Sequence, residues 1–261
     1  MKIGFFDSGL GGLLLLKAVA KELPQYDYEF YGDTAHLPYG DRTEEEIYTL
    51  TKAGVEHLFQ RDCLLVIVAC NTASAETLRR LQDSILTGEW AKRRILGVII
   101  PTVEAVAASL YSKVALFATK RTVESGKYER ELTKIGAETI LTSKALPGLV
   151  PLIEAGKHEE AAAHIVAETK SMKDAGVEAI ILGCTHYCLL KDKVREAMGG
   201  EGTVFTQDEL IPERLRDYLK RHPETEIKLT RLATRNIFLT AHKPEYDEII
   251  KHLMGGVIIG D

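Results

Sequence analysis

Short, solid apolar runs recur along this chain, separated by longer segments with one apolar face, and that alternation limits the folds open to it. The runs are KIGFFD (2–7), YEFYGD (28–33), CLLVIVAC (63–70), RILGVII (94–100), KVALFAT (113–119), AETILTSK (137–144), VEAIILGC (177–184) and TVFTQD (203–208). Strands apolar on both sides belong to parallel sheets covered by helices on both faces. The intervening helices are GGLLLLKAVAKELP, stopped near Pro24, then TEEEIYTLTKAGVEHLFQR (43–61), SAETLRRLQDSIL and TVEAVAASLYS, opened by Pro101 and Thr102. VESGKYERELTKIG reads as one helix, EEAAAHIVAETKSMKDAG (159–176) as another and LLKDKVREAM as the next. Thr43 and Glu46 stand in capping-box register. The tail, 209–261, reads as two helices around RNIFLT, itself a strand or an extended connection. The class expected is α/β, with mainly parallel sheets flanked by helices.

Two of the runs end alike: VIVACNTASAE (66–76) and AIILGCTHYCLL (179–190) each bring a cysteine to the end of a buried strand, and each lies in its own αβ series. That suggests two similar domains. The shared stretch is short, and any two buried strands have such composition, so periodicity alone leaves duplication open. With no low-complexity linker, the best crossovers lie near 96–102 and 207–210. The expected division is a first domain of 1–97 plus 208–261, carrying Cys70, and a second of 98–207, carrying Cys184.

The chain of 261 residues is 45% hydrophobic and 27% charged, ordinary values for a globular protein with a substantial core. A net charge of −5 argues against a nucleic-acid partner, and the nearest basic cluster, WAKRRIL (90–96), reads as a solvated turn. No run is long and apolar enough to span a bilayer, and Asp7 with several glycines interrupts any signal-peptide core. Four cysteines are too sparse for a disulfide scaffold, so a reducing cytoplasm is expected.

In open α/β sheets ligands bind beyond the carboxyl ends of strands. Asp7-Ser8-Gly9, Cys70-Asn71-Thr72, Thr119 and Cys184-Thr185-His186 all fall there. A thiol opening a helix has its thiolate favoured by the helix dipole and free N–H groups. Taken singly, each has a plainer reading: core filling for a strand-end cysteine, a helix cap for Asp7 and Ser8, a hydrogen-bonded core residue for His186, and a turn for Tyr39 and Gly40. Cys63 and Cys188 keep the core reading. GLGG (9–12) lacks the third glycine of a dinucleotide fingerprint, and no phosphate loop or C-x-x-C occurs. A thiol phosphatase would want an arginine where Glu76 and Leu190 stand. CTHYC offers half a metal site with no second cluster, so no metal is expected.

Two thiols from two walls of a cleft suit one reaction in particular. Inverting a carbon stereocentre by proton exchange requires removal from one face and delivery to the other, so a pair of bases is needed. At any moment one must be thiolate and the other thiol, with Asp7 and His186 as tuning neighbours. Ser8, Asn71, Thr72 and Thr185 are neutral donors able to stabilise the carbanion-like state.

FDSGLGG, YGDTAHLPYG, VACNTASA and LGCTHYCLL occur in the order found in glutamate racemases of the aspartate/glutamate racemase superfamily, which the chain closely resembles. TKRTVESGKY (119–128) and VPLIEAG (150–156) match as well, and the similarity runs from residue 3 to about 190 and faintly through TRNIFLT. The resemblance implies a cofactor-independent racemase with its site between two αβ domains, making D-glutamate for peptidoglycan in a bacterial cytoplasm. It implies that Cys70 acts on the D-enantiomer and Cys184 on the L-enantiomer, with Asp7, His186 and Glu154 as their polar partners. Substrate contacts carry over to Asp7, Ser8, Pro38, Tyr39, Gly40, Asn71, Thr72, Thr119, Thr122, Thr185 and His186, and a homodimer is expected. Racemisation of aspartate or another amino acid is the nearest alternative, and a non-catalytic binding role the alternative of another class. The sequence departs from the family pattern at Cys188, where proline is common, and in ALPGLVPLIE before Glu154. It departs again in TQDELIPERL (206–215), which stands in place of a small-residue segment.

Overall fold

The computed structural model describes residues 1–200, 203–254 and 258–259. The first series runs β1 (Lys2–Asp7), α1 (Gly12–Glu22), β2 (Tyr28–Gly32), α2 (Glu44–Gln60), β3 (Cys63–Val68), α3 (Asn71–Ile85) and β4 (Arg94–Gly97). After α4 (Ile99–Ala107) a second series follows: β5 (Lys113–Ala118), α5 (Lys120–Glu124), α6 (Lys127–Lys134), β6 (Ile140–Ala145), α7 (Leu149–Glu154), α8 (His158–Asp174), β7 (Ala179–Gly183), α9 (Lys191–Met198) and β8 (Val204–Phe205). The chain then returns through α10 (Gln207–Arg221), α11 (Pro223–Glu226), β9 (Arg235–Leu239), α12 (Pro244–Met254) and β10 (Ile258–Ile259).

These strands form two parallel sheets, one ordered β10-β9-β2-β1-β3-β4 and the other β6-β5-β7-β8. Inside the larger sheet the run β2-β1-β3-β4 has the same second-first-third-fourth order as the whole smaller sheet. The internal likeness that periodicity left open is therefore present in the topology. In both units the order reverses beside the first strand, between β1 and β3 and between β5 and β7, which is where such sheets open a crevice. Cys70 follows β3 and Cys184 follows β7, so each thiol stands at the same place in its own unit.

Side chains alternate between the two faces of each strand with the period of two that a pleated strand imposes. Ile3, Phe5, Leu65 and Ile67 pack with Leu13, Leu16 and Leu215 on one face, while Phe6, Val66 and Val68 pack with Val55, Leu58 and Leu81 on the other. In the second sheet Ala115, Phe117, Ile180 and Leu182 meet Ile165 and Val194, while Val114, Leu116 and Ile181 meet Val103 and Leu132. Burial on both faces is why the strands read as solid apolar runs.

The capping box at α2 forms as the sequence predicts: Thr43 Oγ1 accepts from Glu46 N at 3.3 Å, and Glu46 accepts from Thr43 N at 2.9 Å. Several segments differ from the sequence reading: the run at 94–100 is a strand only over Arg94–Gly97, because α4 already begins at Ile99, and the tail holds three helices rather than two. α3 begins at Asn71 rather than Ser74, so Cys70 itself is the N-cap. The expected single helix over VESGKYERELTKIG is broken at Gly126, which adopts φ 56° and separates α5 from α6. The run at 203–208 is a strand only at Val204–Phe205, because Thr206 already caps α10. A 3-10 turn over Thr185–Leu190 precedes α9. RNIFLT proves to be a strand, paired in parallel with β2 from Tyr28↔Arg235 to Gly32↔Leu239. The end of the tail reading, 255–257 and 260–261, lies outside the described residues.

Candidate active site

The loops after β1, β3, β5 and β7 converge on one cavity of about 60 Å³, and Cys70 and Cys184, one from each sheet, both line it. At ~10–15 Å³ per water that is room for a handful of waters, the scale of a small acid rather than a polymer.

Cys70 sits at the N-cap of α3, where Ala73 N points at its sulfur at 3.5 Å, and its thiol lies 3.4 Å from Ser8 Oγ. Burial, reinforced by the Asp7 carboxylate, pushes this thiol up to about 12, against the opposing pull of Ser8 and the Ala73 N–H. Its thiol form therefore prevails at neutral pH.

Cys184 has a different neighbourhood. Its sulfur is 4.0 Å from His186 Nδ1, and the other ring nitrogen, Nε2, is bonded to Glu154 Oε1 at the end of α7. Burial works against the imidazolium, yet Cys184 and Glu154 together hold His186 well above its ordinary value. One thiol thus has a carboxylate for its nearest titratable neighbour and the other an imidazolium.

Asp7 lies under the floor, with no exposed surface. Its Oδ2 accepts from Gly9 N at 3.2 Å and Gly12 N at 3.1 Å, and its Oδ1 accepts from Thr185 Oγ1 at 3.3 Å. Burial raises its carboxyl above the usual range, opposed by the charge of His186 and by those three donors. The helix-cap reading of Asp7 is thus part of its geometry, and the bond to Thr185 ties the first unit to the second.

Ser8, Pro38, Tyr39, Gly40, Asn71, Thr72, Thr119, Thr185 and His186 line the cavity beside the two cysteines. Asp7, Thr122 and Glu154 stand behind that lining. Thr122 shares hydroxyl contacts with Thr72 at 3.2 Å and Thr119 at 2.9 Å, and Thr72 meets Thr119 at 2.9 Å, a cluster that joins the two units. Tyr39 gives its hydroxyl hydrogen to Asp33 at 2.6 Å, and its ring packs beside Phe6. Thr240, just past β9, also donates to Asp33, at 2.8 Å, so the end of β9 braces the turn that carries Tyr39 and Gly40.

Several site residues lie in or beside the quoted motifs but were not singled out in the sequence. Leu146, Pro147, Gly148, Val150 and Pro151 form a largely apolar wall, and Lys120 and Asp41 also line the cavity. Gly11 is another: a Cβ there would lie 2.6 Å from Thr185 Oγ1 and 2.9 Å from His186 N. Its φ of −57° suits any residue, so glycine serves there for space, not conformation. Cys63 and Cys188 are buried with raised thiols, Cys63 at the start of β3 and Cys188 in the turn before α9. Among the described residues no group of three His, Cys, Asp or Glu side chains is placed to hold a metal ion, and no helix is long and apolar enough to cross a membrane.

Known proteins are similar to this chain in sequence and in fold. A glutamate racemase from Jannaschia sp. is 43% identical over 239 residues, which cover 86% of this chain and 87% of that protein. The crystal structure of a glutamate racemase isoform from Bacillus anthracis superposes with a TM-score of 0.85 at 27% identity, covering 99% of this chain and 96% of that one. The Escherichia coli glutamate racemase, solved in complex with L-glutamate, gives 0.77 at 25% identity and covers 99% and 96%. The Asp/Glu/Hydantoin racemase family model matches residues 14–205, so the chain belongs to that family and is an amino-acid racemase.

Proposed function

We propose that the chain interconverts L- and D-glutamate without a cofactor, using Cys70 and Cys184 as two bases on the two faces of the α-carbon. The observation that carries this reading is the meeting of the two thiols, one from each sheet, on a single small cavity. In the L-to-D direction Cys184, as thiolate beside the His186 imidazolium, takes the α-proton. The electron pair of the broken C–H bond spreads into the α-carboxylate. Cys70, held as a thiol by burial and by Asp7, then gives its proton to the other face. In the reverse direction the roles exchange. Glu154 keeps His186 charged, Ser8, Thr72 and Thr185 supply fixed donors for the carboxylate as charge develops, and Asn71 holds that carboxylate equally in the bound and the reacting states.

The Pro38-Tyr39-Gly40 turn, with Thr119 and Thr122, would receive the distal carboxylate. Aspartate is one methylene shorter, and a single methylene is worth about 1–3 kcal/mol in such a site. The 43% identity to a glutamate racemase favours the longer acid. In this reading 1–97 plus 208–261 form the unit holding Cys70 and 98–207 the unit holding Cys184, in line with the membership of the two sheets. The enzyme would act as a homodimer in a bacterial cytoplasm and supply D-glutamate for peptidoglycan and cell-wall growth.

Purified protein should racemise L-glutamate with no added pyridoxal phosphate, and with kcat/KM at least about tenfold above that for L-aspartate. Cys70→Ala and Cys184→Ala should each abolish racemisation while leaving the fold intact. Each Cys→Ser variant should still eliminate halide from a halogen-substituted glutamate in part, since one thiol suffices to remove the proton. Full racemisation by either alanine variant would sink the two-base reading, and a preference for aspartate would sink the substrate assignment.

A further inference from the structure

A chain of buried hydrogen bonds with a fixed direction ends at Asn71. Gln207 Nε2 donates to the Tyr128 hydroxyl at 3.5 Å, and Tyr128 donates to Asn71 Oδ1 at 2.7 Å. At the far end the Cys188 thiol lies 3.9 Å from Gln207 Oε1. Tyr128 is fully buried, and Gln207 and Asn71 are each 1% exposed. A phenol has one hydrogen to give. Thr102 and the Gln207 amide also stand at the phenol oxygen, and the 2.7 Å contact to Asn71 Oδ1 takes its hydrogen, so the Asn71 amide is held oxygen-inward. Its nitrogen, Nδ2, faces away from the tyrosine and has no partner among the described residues, beside the cavity that Asn71 lines. Buried amide nitrogens are rarely left unmatched, so this one points to a ligand acceptor.

We infer that Tyr128, held in turn by Gln207, is a positioning residue that fixes the Asn71 amide so that its N–H groups face a substrate carboxylate. The break at Gly126 brings Tyr128 into this position: α6 starts afresh there and buries Tyr128 with Leu132 and Glu131. Gln207 opens α10 directly after the Thr206 cap, and that start brings its side chain to the phenol. Without the phenol the amide can turn its oxygen toward the carboxylate, and a competent orientation populated about a tenth of the time weakens apparent binding about tenfold.

This inference rests on the glutamate reading, and wild-type turnover of glutamate is the control that separates the two. Tyr128→Phe should raise KM for glutamate about tenfold and leave kcat within about twofold, the pattern of lost uniform binding. A merely structural role would shrink the folded fraction, lowering apparent kcat while leaving KM in place. In an Asn71→Ala background the same Tyr128→Phe change should have no further effect on KM, because no amide remains to be oriented. Asn71→Asp keeps the acceptor for Tyr128 but puts an acceptor toward the substrate, and should raise KM by about a hundredfold or more. An unmoved KM in Tyr128→Phe, an equal effect of that change with and without Asn71, or normal KM in Asn71→Asp would overturn the positioning role. Any of these with an active wild type leaves the glutamate assignment standing, whereas an inactive wild type overturns both.

Discussion

Thr185 gives its hydroxyl hydrogen to Asp7 at 3.3 Å, joining the loop after the third strand of one unit to the loop after the first strand of the other. The acceptor has no exposed surface, so loss of this donor cannot be made good by water. Thr185→Val preserves shape and should cost about 1–2 kcal/mol of stability, read as a lower urea midpoint with an unchanged slope. A variant as stable as the parent would show that the contact carries no net stability.

His186 gives stability a distinctive pH dependence. Its folded pKa is raised well above the ordinary value of 6.5, so the folded state binds a proton that the unfolded state gives up first. The contribution is complete below the unfolded pKa and is lost as pH rises through the folded one. Stability should therefore fall between pH 6 and pH 8.5, by up to about 1.4 kcal/mol per unit from this group. Denaturation at both pH values, compared between the parent and His186→Gln, isolates the effect. The variant should lose less on going to the higher pH, and an identical loss would contradict the assignment.

The raised Cys70 thiol makes a chemical prediction for the free protein. With its pKa near 12, alkylation of Cys70 by iodoacetamide should be slow at pH 7 and rise about tenfold per pH unit through pH 10. Peptide mass spectrometry follows it site by site. A plateau below pH 9 would mean an ordinary thiol.

At Gly11 the two units approach closely: a Cβ there would sit 2.6 Å from Thr185 Oγ1 and 2.9 Å from a backbone nitrogen. Gly11→Ala should push the Cys184 loop away from α1. Since a misplacement of about 1 Å can cost a hundredfold in rate, activity should drop at least tenfold while the protein stays folded by circular dichroism. Unchanged kcat/KM would show that the loop has slack.

The chain's α/β class and the strand-end places of Cys70 and Cys184 were legible because burial on both faces writes a strand as a continuous apolar run. Thr43 and Glu46 were legible because a capping box is local. Glu154 came into view only through the family resemblance: nothing in periodicity links the end of α7 to His186. The break at Gly126 was missed because glycine is tolerated inside helical patterns. Tyr128 read as an ordinary helix residue and Gln207 as the end of a strand, and their meeting at Asn71 depends on tertiary placement that no local pattern encodes. The apolar wall from Leu146 to Pro151 was hidden for the same reason.

The central claim is that two different thiols serve the two faces of one carbon. Incubating the protein with L-glutamate in deuterated water, and analysing both enantiomers at low conversion, tests it most directly. The account predicts D-glutamate that carries deuterium at the α-carbon from the first turnovers, beside recovered L-glutamate still bearing protium. Deuterium entering L-glutamate as fast as the D-form accumulates, or D-glutamate retaining the original hydrogen, would point to a single base and contradict it.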